Sequence, residues 1–163
     1  MFKNPLVHLF AKLYGLLIKI GSNLQSLFLL WMRLTWGHQF YITGSGKLAN
    51  IDRVVEFFIS LGIPYAHFQA YLVSYTELIG GILLMLGFAS RLATIPLIIA
   101  MVTALATAHA HLLTHFDFFF EPSTLVHEAP YPFLITSLLV FIFGPGRISV
   151  DAWLKRWVDK QPR

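Results

Sequence analysis

Long apolar stretches alternate with short polar breaks along most of the chain, and the breaks often contain glycine or proline. Four of the stretches approach the roughly 20 residues that a helix needs to cross the hydrocarbon core of a bilayer. They cover residues 24–43, 68–88, 92–113 and 128–143. The last is short, but Pro130 and Pro132 suit the first turn of a helix, where the missing N–H has no intrahelical partner to lose. The pattern therefore predicts four transmembrane helices.

Segments near both ends of the chain have an amphipathic pattern instead. In residues 5–22, two lysines lie seven positions apart on one helical face, and leucines fill another face. In residues 148–159, Trp153 and Trp157 share a face at a spacing of four. Helices of this kind lie in the plane of the membrane surface. The amphipathic pattern near each end of the chain therefore predicts an interfacial helix.

The composition is typical of a membrane protein. Of the 163 residues, 56% are hydrophobic and 12% are charged, which is about half the charged share of a soluble domain, and the mean hydropathy is +0.67. We expect an all-α integral membrane protein with one domain, residues 1–163, built as a four-transmembrane-helix bundle with interfacial helices at the N- and C-termini. The chain has no cysteine, which excludes disulfides, iron–sulfur clusters and thiolate metal sites.

The basic residues indicate the orientation of the bundle, not a nucleic-acid partner, although the formal net charge is +4. Most of them precede the first span, follow the second or follow the fourth: Lys3, Lys12, Lys19, Arg91, Arg147, Lys155, Arg156, Lys160 and Arg163. The connection between the first two spans, residues 44–66, contains Lys47 and Arg53 with the acids Asp52 and Glu56 and the amphipathic piece IDRVVEFFISLGI. Cytoplasmic loops are enriched in lysine and arginine, so we expect both termini in the cytoplasm. No signal-peptide cleavage site is evident, and we expect the N-terminal segment to be retained.

Two charged residues fall near the centres of the first two predicted spans. Arg33 is surrounded by apolar and aromatic residues in LLWMRLTWGHQF, and Glu77 lies in YTELIGG. A charge at the bilayer centre is costly unless it faces the bundle and has a partner. Since the two helices are antiparallel, we predict that Arg33 and Glu77 face each other. Gly37, Gly80 and Gly81 are placed to let these helices approach closely.

Further polar side chains are predicted to gather in the half of the membrane that faces away from the cytoplasm. All four spans contribute to this level, which includes His38, Tyr75, His109 and Glu128. Polar clusters within a membrane commonly mark a functional site. The alternative is a buried polar network that only fixes the register of the helices.

The histidines at the end of the third span raise the question of a metal. His109, His111 and His115 form the pattern H-x-H-x3-H with Asp117 nearby, and these could bind zinc, copper or non-haem iron. Haem could be held by His38 opposite His109. Histidines at a helix end near the interface are more often simply solvated, so we do not predict a metal or haem site.

Four segments together resemble the DoxX family of small four-span membrane proteins: LWMRLTWGHQFYITGSGKL, FFISLGIP, YTELIGGILLMLGFASRLA and GPGRISVDAWL. They occur in order between residues 24 and 154. The positions that carry the resemblance are Arg33, Glu77, Gly80, Gly81, Gly144, Pro145, Gly146, Arg147, Ser149 and Asp151. The resemblance implies a respiratory or redox-stress role in the bacterial cytoplasmic (inner) membrane, with quinones as the linked redox molecules.

A quinone ligand is compatible with the predicted polar level. Arg33 and His38 could donate hydrogen bonds to its carbonyl groups, Glu77 could exchange protons, and Trp36 and Tyr75 could stack on its ring. His109 and Glu128 lie at the same predicted depth. Electrons would have to come from a partner subunit or from a cofactor that the sequence does not reveal.

Two other classes of function remain open from the sequence. The chain could be a non-catalytic anchor or scaffold that organises partner proteins through its amphipathic ends. It could also be a conduit for small molecules or ions, which would require a homo-oligomer. A ligand site predicts a cavity near the charged residues that is open to lipid, whereas an anchor predicts tight packing there.

Overall fold

The fold is described from a computed structural model for residues 5–108 and 126–160. These ranges contain six α-helices and no strand. In chain order the helices are α1 (Pro5–Ala49), α2 (Ile51–Ser60), α3 (Ala66–Leu86), α4 (Ser90–Thr107), α5 (Pro130–Phe143) and α6 (Val150–Val158). The described part of the chain is therefore entirely helical, as predicted.

The first helix is continuous over 45 residues, a length of about 68 Å. The predicted break between an interfacial helix at 5–22 and a first span at 24–43 is wrong, and so is the predicted turn at TGSGK. No proline occurs between Pro5 and Pro64, and the glycines in between weaken a helix without ending it. The helix ends six residues later than predicted, at Ala49, and this difference changes which residues meet across the bundle.

The two halves of α1 have different environments. Every residue from 7 to 25 is exposed, including large apolar side chains such as Leu9, Phe10 and Leu17. Burial begins at Leu29 and recurs at Arg33, Gly37 and other positions on one face. We call residues 7–25 the arm; the bundle is formed by the remainder of α1 with the other helices.

Four helices close around the core. α1 packs mainly on α3, α3 on α4 and α4 on α5, and α5 also contacts α1. The core contains Phe40, Leu84, Leu97, Ala100, Met101 and Val140. Phe133 of α5 joins it through an edge-to-face contact with Phe40, with the ring centroids 4.5 Å apart. The short helix α2 packs on the beginning of α3 around Val55, Ala66 and Ala70.

Among the described helices, three are long and apolar enough to cross a membrane: residues 7–49 of α1, α3 and α4. The fourth predicted span corresponds to α5, which is apolar but has 14 residues. The predicted end of the third span, residues 109–113, lies outside the described residues. Helices alone, with three candidate spans, in residues 5–108 and 126–160 fit a protein embedded in a lipid bilayer.

Glycines set the register between α1 and α3. A Cβ atom on Gly81 would lie 2.6 Å from the carbonyl oxygen of Gly37, and one on Gly44 would overlap the backbone of Leu78. The predicted close approach of these helices at Gly37 and Gly81 is confirmed. Gly80 faces α4 instead, where Leu97 packs against it. These contacts determine the depth of each charged residue in the bundle.

Candidate functional site

Arg33 lies at the end of the bundle where α3 gives way to α4. Its side chain is fully buried, and Nη2 donates a hydrogen bond of 2.6 Å to the carbonyl oxygen of Ile148. The guanidinium occupies the space beside Gly87, where a Cβ atom would overlap it. Gly87 has a positive φ of 68°, so glycine is favoured there by conformation and by space.

Asp151, in the first turn of α6, connects three elements at this end of the bundle. Its carboxylate accepts hydrogen bonds from the backbone N–H groups of Ala89 (2.7 Å) and Ser90 (2.9 Å), at the beginning of α4. Its own N–H donates to the carbonyl oxygen of Gly87 at 2.9 Å. A carboxylate is favoured at a helix N-terminus by the free N–H groups and the helix dipole.

The segment GPGRIS turns the chain back over the end of the bundle. Gly144 and Gly146 adopt positive φ values of 79° and 81°, which favour glycine. Ser149 then caps α6, because its Oγ accepts a hydrogen bond from Ala152 N at 3.1 Å and donates one to Gly146 O at 2.8 Å. This turn carries the carbonyl group of Ile148 to Arg33.

A cavity of about 370 Å³ adjoins Arg33. Its other lining residues are mostly apolar: Leu30, Met85, Leu86, Ile148, Ser149, Val150 and Trp153. Within the described part of the chain, Arg33 Nε and Nη1 have no hydrogen-bond partner. Unsatisfied buried donors are costly, and more so when the group is charged. The site therefore combines an apolar cavity with a cation that has two unused donors.

The predicted contact between Arg33 and Glu77 is wrong. Arg33 lies beside Gly87, ten residues along α3 from Glu77, which corresponds to about 15 Å of helix. Glu77 Oε1 instead accepts a hydrogen bond of 2.5 Å from Lys47 Nζ. The prediction failed because α1 was expected to end before Lys47. The contacts of Gly37 and Gly44 place Lys47, not Arg33, opposite Glu77.

Glu77 and Lys47 form a second charged site towards the other end of α1. The Glu77 side chain is 2% exposed and that of Lys47 is 34% exposed, so the lysine connects a buried carboxylate to the surface of the bundle. Among the described residues, Glu77 Oε2 has no hydrogen-bond partner. An ion pair of this kind holds the end of α1 against the middle of α3.

The other predicted ligand residues that the structure describes are not brought to one place. His38 and Tyr75 are exposed on the outside of the bundle, where Tyr75 stacks on Tyr71. Trp36 packs edge-on against Phe133 at 5.1 Å. Glu128 is half-buried just before α5. In the ranges that the structure describes, the predicted polar level is replaced by two separate charged sites.

The histidines that raised the metal question, His109, His111 and His115, lie outside the described residues. Across residues 5–108 and 126–160, no three His, Asp or Glu side chains are grouped as metal ligands.

Three important residues were not placed in the site by the sequence. Lys47 was assigned to a polar connection, and its position three residues after Gly44 was the available signal that α1 continues. Asp151 and Ser149 were noted only because of the family resemblance, and their role depends on a turn that joins distant parts of the chain. The chain distance between Arg33 and Ile148 is 115 residues, which local patterns do not reveal.

Comparisons with known proteins agree with the membrane fold. The DoxX family model matches residues 28–110, from the buried half of α1 to just beyond α4. The chain is 26% identical to the "Putative oxidoreductase CatD" of Bacillus subtilis over 123 residues, 76% of this chain and 84% of the relative. It is 33% identical to the "Uncharacterized membrane protein Rv3486" of Mycobacterium tuberculosis over 130 residues, 77% of this chain and 80% of the relative. No solved structure shows a significant match.

Proposed function

The chain belongs to the DoxX family of membrane proteins, and on this premise we propose that it is a membrane component of a quinone-linked oxidoreductase system and binds a quinone head group beside Arg33. The observation that carries the proposal is the pair of unused donors, Nε and Nη1, next to an apolar cavity that contains Trp153. The Bacillus relative, whose name describes an oxidoreductase, supports a redox context.

The chemistry of a quinone matches this cavity. Its carbonyl oxygens accept hydrogen bonds but carry no charge, so they can use the donors of Arg33 without a second ion pair. Asp151 still caps the beginning of α4 when a quinone binds, because its two oxygens accept hydrogen bonds from the N–H groups of Ala89 and Ser90. The indole of Trp153 offers a face on which the ring can stack. The apolar residues of the lining suit an isoprenoid tail that continues into the lipid.

We propose different roles for the two charges that were expected to act together, because they lie far apart along α3. Arg33 binds and orients the head group. Glu77 is about 15 Å away along α3 and does not exchange protons with a ligand in this cavity directly. His38 and Tyr75, which face outwards, do not contact it either. Electrons are delivered by a partner oxidoreductase subunit, and this chain supplies the binding site.

Mass spectrometry of the full chain purified in a mild detergent tests this proposal. We expect a quinone in near-stoichiometric amount, lost in Arg33→Met and retained in Arg53→Met, which removes an exposed cation from α2. Leu86→Trp provides a second test, since it fills the cavity from an exposed position and leaves Arg33 in place. Lipid alone in the wild-type protein, or equal quinone content in all variants, would contradict the proposal.

Quinone added to the purified protein gives an independent readout. Bound quinone should quench the fluorescence of Trp153, and the quenching should fall in Trp153→Phe. The matched control is Trp157→Phe, one turn further along α6 and not in the cavity lining. Equal quenching in both variants would place the ligand elsewhere.

A non-catalytic anchor or scaffold is the second candidate, and the arm favours it. Its residues 7–25 are all exposed, and their apolar side chains suit contact with a membrane surface or with a partner subunit. Removing the arm should then release the partner from purified membranes and leave quinone content unchanged. Loss of the quinone together with the partner would favour one combined site.

We place the arm, Arg91 and Arg147 on the cytoplasmic side of the inner membrane, in agreement with the enrichment of cytoplasmic loops in basic residues. Because the chain has no cysteine, single cysteines can report its orientation. A membrane-impermeant maleimide added outside spheroplasts should label Ser60→Cys and not Ser22→Cys. Both positions are exposed; Ser22 lies in the arm, and Ser60 ends α2, which follows the opposite end of α1. The reverse labelling would invert the orientation.

A further inference from the structure

A second cavity, of about 650 Å³, lies at the same end of the bundle as Arg33 but is separate from the Arg33 cavity. It is open on one side and is lined by the junction between the arm and the rest of α1, the first turn of α4, the GPGR segment and α6. No described residue lines both cavities. This cavity is therefore a separate candidate site, and a ligand bound there is independent of quinone binding.

Positive charge dominates the lining of this cavity. Arg91, Arg147 and Lys155 line it, and Asp151 is the single acid among the described lining residues. Both carboxylate oxygens of Asp151 accept hydrogen bonds from backbone N–H groups of α4, so this acid is already engaged. Arg91 uses one donor on the carbonyl oxygen of Ile142, at 3.3 Å, out of the five N–H groups of a guanidinium. The cavity therefore favours an anion.

A buried hydroxyl in the same lining also lacks a partner. Ser90 is fully buried, and its Oγ makes no hydrogen bond within the described ranges. Its backbone N–H is already used by Asp151, so the hydroxyl remains as an additional donor at the beginning of α4. Buried hydroxyl groups are normally satisfied, and an oxygen of a ligand would satisfy this one.

We propose that this cavity binds the phosphate group of an anionic membrane lipid. Arg147 and Lys155 contact the phosphate oxygens, and Ser90 Oγ donates to one of them. The cavity also has an apolar edge formed by Leu29, Leu92 and Phe143, of which Leu92 is 70% and Phe143 is 56% exposed.

This apolar edge distinguishes a lipid from a soluble phosphate ester, because only a lipid has acyl chains to cover it. The position of the cavity also fits a lipid. Basic pockets between transmembrane helices at the cytoplasmic surface are suited to anionic head groups. A lipid held there would contact the arm, the α3–α4 turn and α6 together, and would stabilise the end of the bundle that carries Arg33.

Native mass spectrometry of the full chain in detergent tests the proposal. The protein is titrated with phosphatidylglycerol, with phosphatidylcholine of the same acyl chains, and with glycerol 3-phosphate. We expect phosphatidylglycerol to bind at least tenfold more tightly than either of the others. Equal affinity for phosphatidylcholine would overturn the anionic site, and equal affinity for glycerol 3-phosphate would overturn its assignment to a lipid.

Charge variants localise the site. Arg147→Gln and Lys155→Gln should each weaken phosphatidylglycerol binding about fivefold. Lys160→Gln removes a cation from the end of the same region but not from the cavity lining, and should leave the affinity unchanged. An equal loss in all three variants would indicate general attraction to the basic surface and would contradict the proposal.

The hydroxyl of Ser90 provides the sharpest test, since removing it changes no charge. Ser90→Ala should weaken phosphatidylglycerol binding about tenfold, because the lost hydrogen bond joins a hydroxyl to a charged group. The matched control is Thr136→Val in α5, which removes another buried hydroxyl without a partner among the described residues and outside the cavity. Unchanged affinity in Ser90→Ala, or an equal loss in Thr136→Val, would overturn the role of Ser90.

Discussion

Lys47 Nζ donates a hydrogen bond of 2.5 Å to Glu77 Oε1, which joins the last turn of α1 to the middle of α3. The carboxylate is almost fully buried, and the lysine reaches it from a half-buried position. Gly44, one turn earlier on α1, lets the two backbones come close enough for this contact. The ion pair and the glycine contacts act together to fix the register of the two helices.

Replacing Lys47 with methionine should destabilise the protein by roughly 1–3 kcal/mol, a value between those for exposed and buried ion pairs. The cost arises because the variant leaves Glu77 charged and buried without its partner. The free energy of unfolding in detergent micelles, measured by titration with a denaturing detergent, checks this prediction. Arg53→Met removes a cation from α2 and serves as the control, with an expected change near zero.

The double variant Lys47→Met with Glu77→Gln should recover part of that loss, because it removes the buried charge as well. A double-mutant cycle measures the coupling between the two residues. If the two single effects simply add, the ion pair contributes no coupling, and the register is set by the glycines alone.

Gly44→Ala should destabilise the bundle by about 1–3 kcal/mol, the usual cost of overpacking. A Cβ atom at Gly44 would overlap the backbone of Leu78, which can move only if α1 and α3 separate. Gly46, two residues later in the same helix, has no atom within 4 Å of its would-be Cβ. Gly46→Ala should therefore be neutral or stabilise the helix by about 0.5–1 kcal/mol. Thermal unfolding of both variants in the same detergent gives the comparison, and equal melting temperatures would contradict close packing at Gly44.

Asp151→Ala should lower the free energy of unfolding by about 2 kcal/mol, at the upper end of values for a lost helix cap. The variant leaves the N–H groups of Ala89 and Ser90 without their acceptor. Asp159→Ala removes an exposed carboxylate at the end of α6 and should have little effect. Hydrogen exchange at the first turn of α4 should increase only in the Asp151 variant. Unchanged protection there would show that the cap is dispensable.

Comparing Gly87→Ala with Gly62→Ala separates the cost of backbone strain from the cost of steric overlap between the new Cβ atom and its neighbours. Both glycines have a positive φ, near 70°, and an alanine there costs about 1–2 kcal/mol from conformation alone. A Cβ atom at Gly87 also overlaps the guanidinium of Arg33, whereas none at Gly62 meets an atom within 4 Å. Gly87→Ala should therefore be the more destabilising of the two variants, as judged by their melting temperatures. Equal losses would mean that Arg33 moves aside at no cost.

Much of the fold was predictable from the sequence. The apolar stretches at residues 68–88 and 128–143 coincide with α3 and α5 to within a few residues, and the amphipathic piece IDRVVEFFISLGI contains α2. Such predictions succeed because an apolar run between glycine and proline breaks has few alternatives to a helix in a membrane. The length of α1 was not predictable in the same way, since glycines such as Gly44 and Gly46 occur both in turns and at helix contacts.

The sequence predicted individual residues of the candidate site but not the contacts between them. Arg33 and Glu77 were correctly recognised as unusual charges, and both are buried. Their partners were wrong or missing, because Lys47 belongs to a helix that was expected to end earlier and Ile148 follows Arg33 by 115 residues. Arg33 lies ten residues along α3 from the predicted position, nearly three helical turns, and this is enough to exchange one partner for another.

The sequence by itself determined that the chain is helical, that it belongs in a membrane and that a few charges must be buried in it. These properties follow from hydropathy and from the cost of unsatisfied backbone groups in lipid, which act locally along the chain. The tertiary structure decided which charges meet, because that depends on the register between helices. Direct backbone contact at Gly37, Gly44 and Gly81 sets this register, and it separates Arg33 from Glu77.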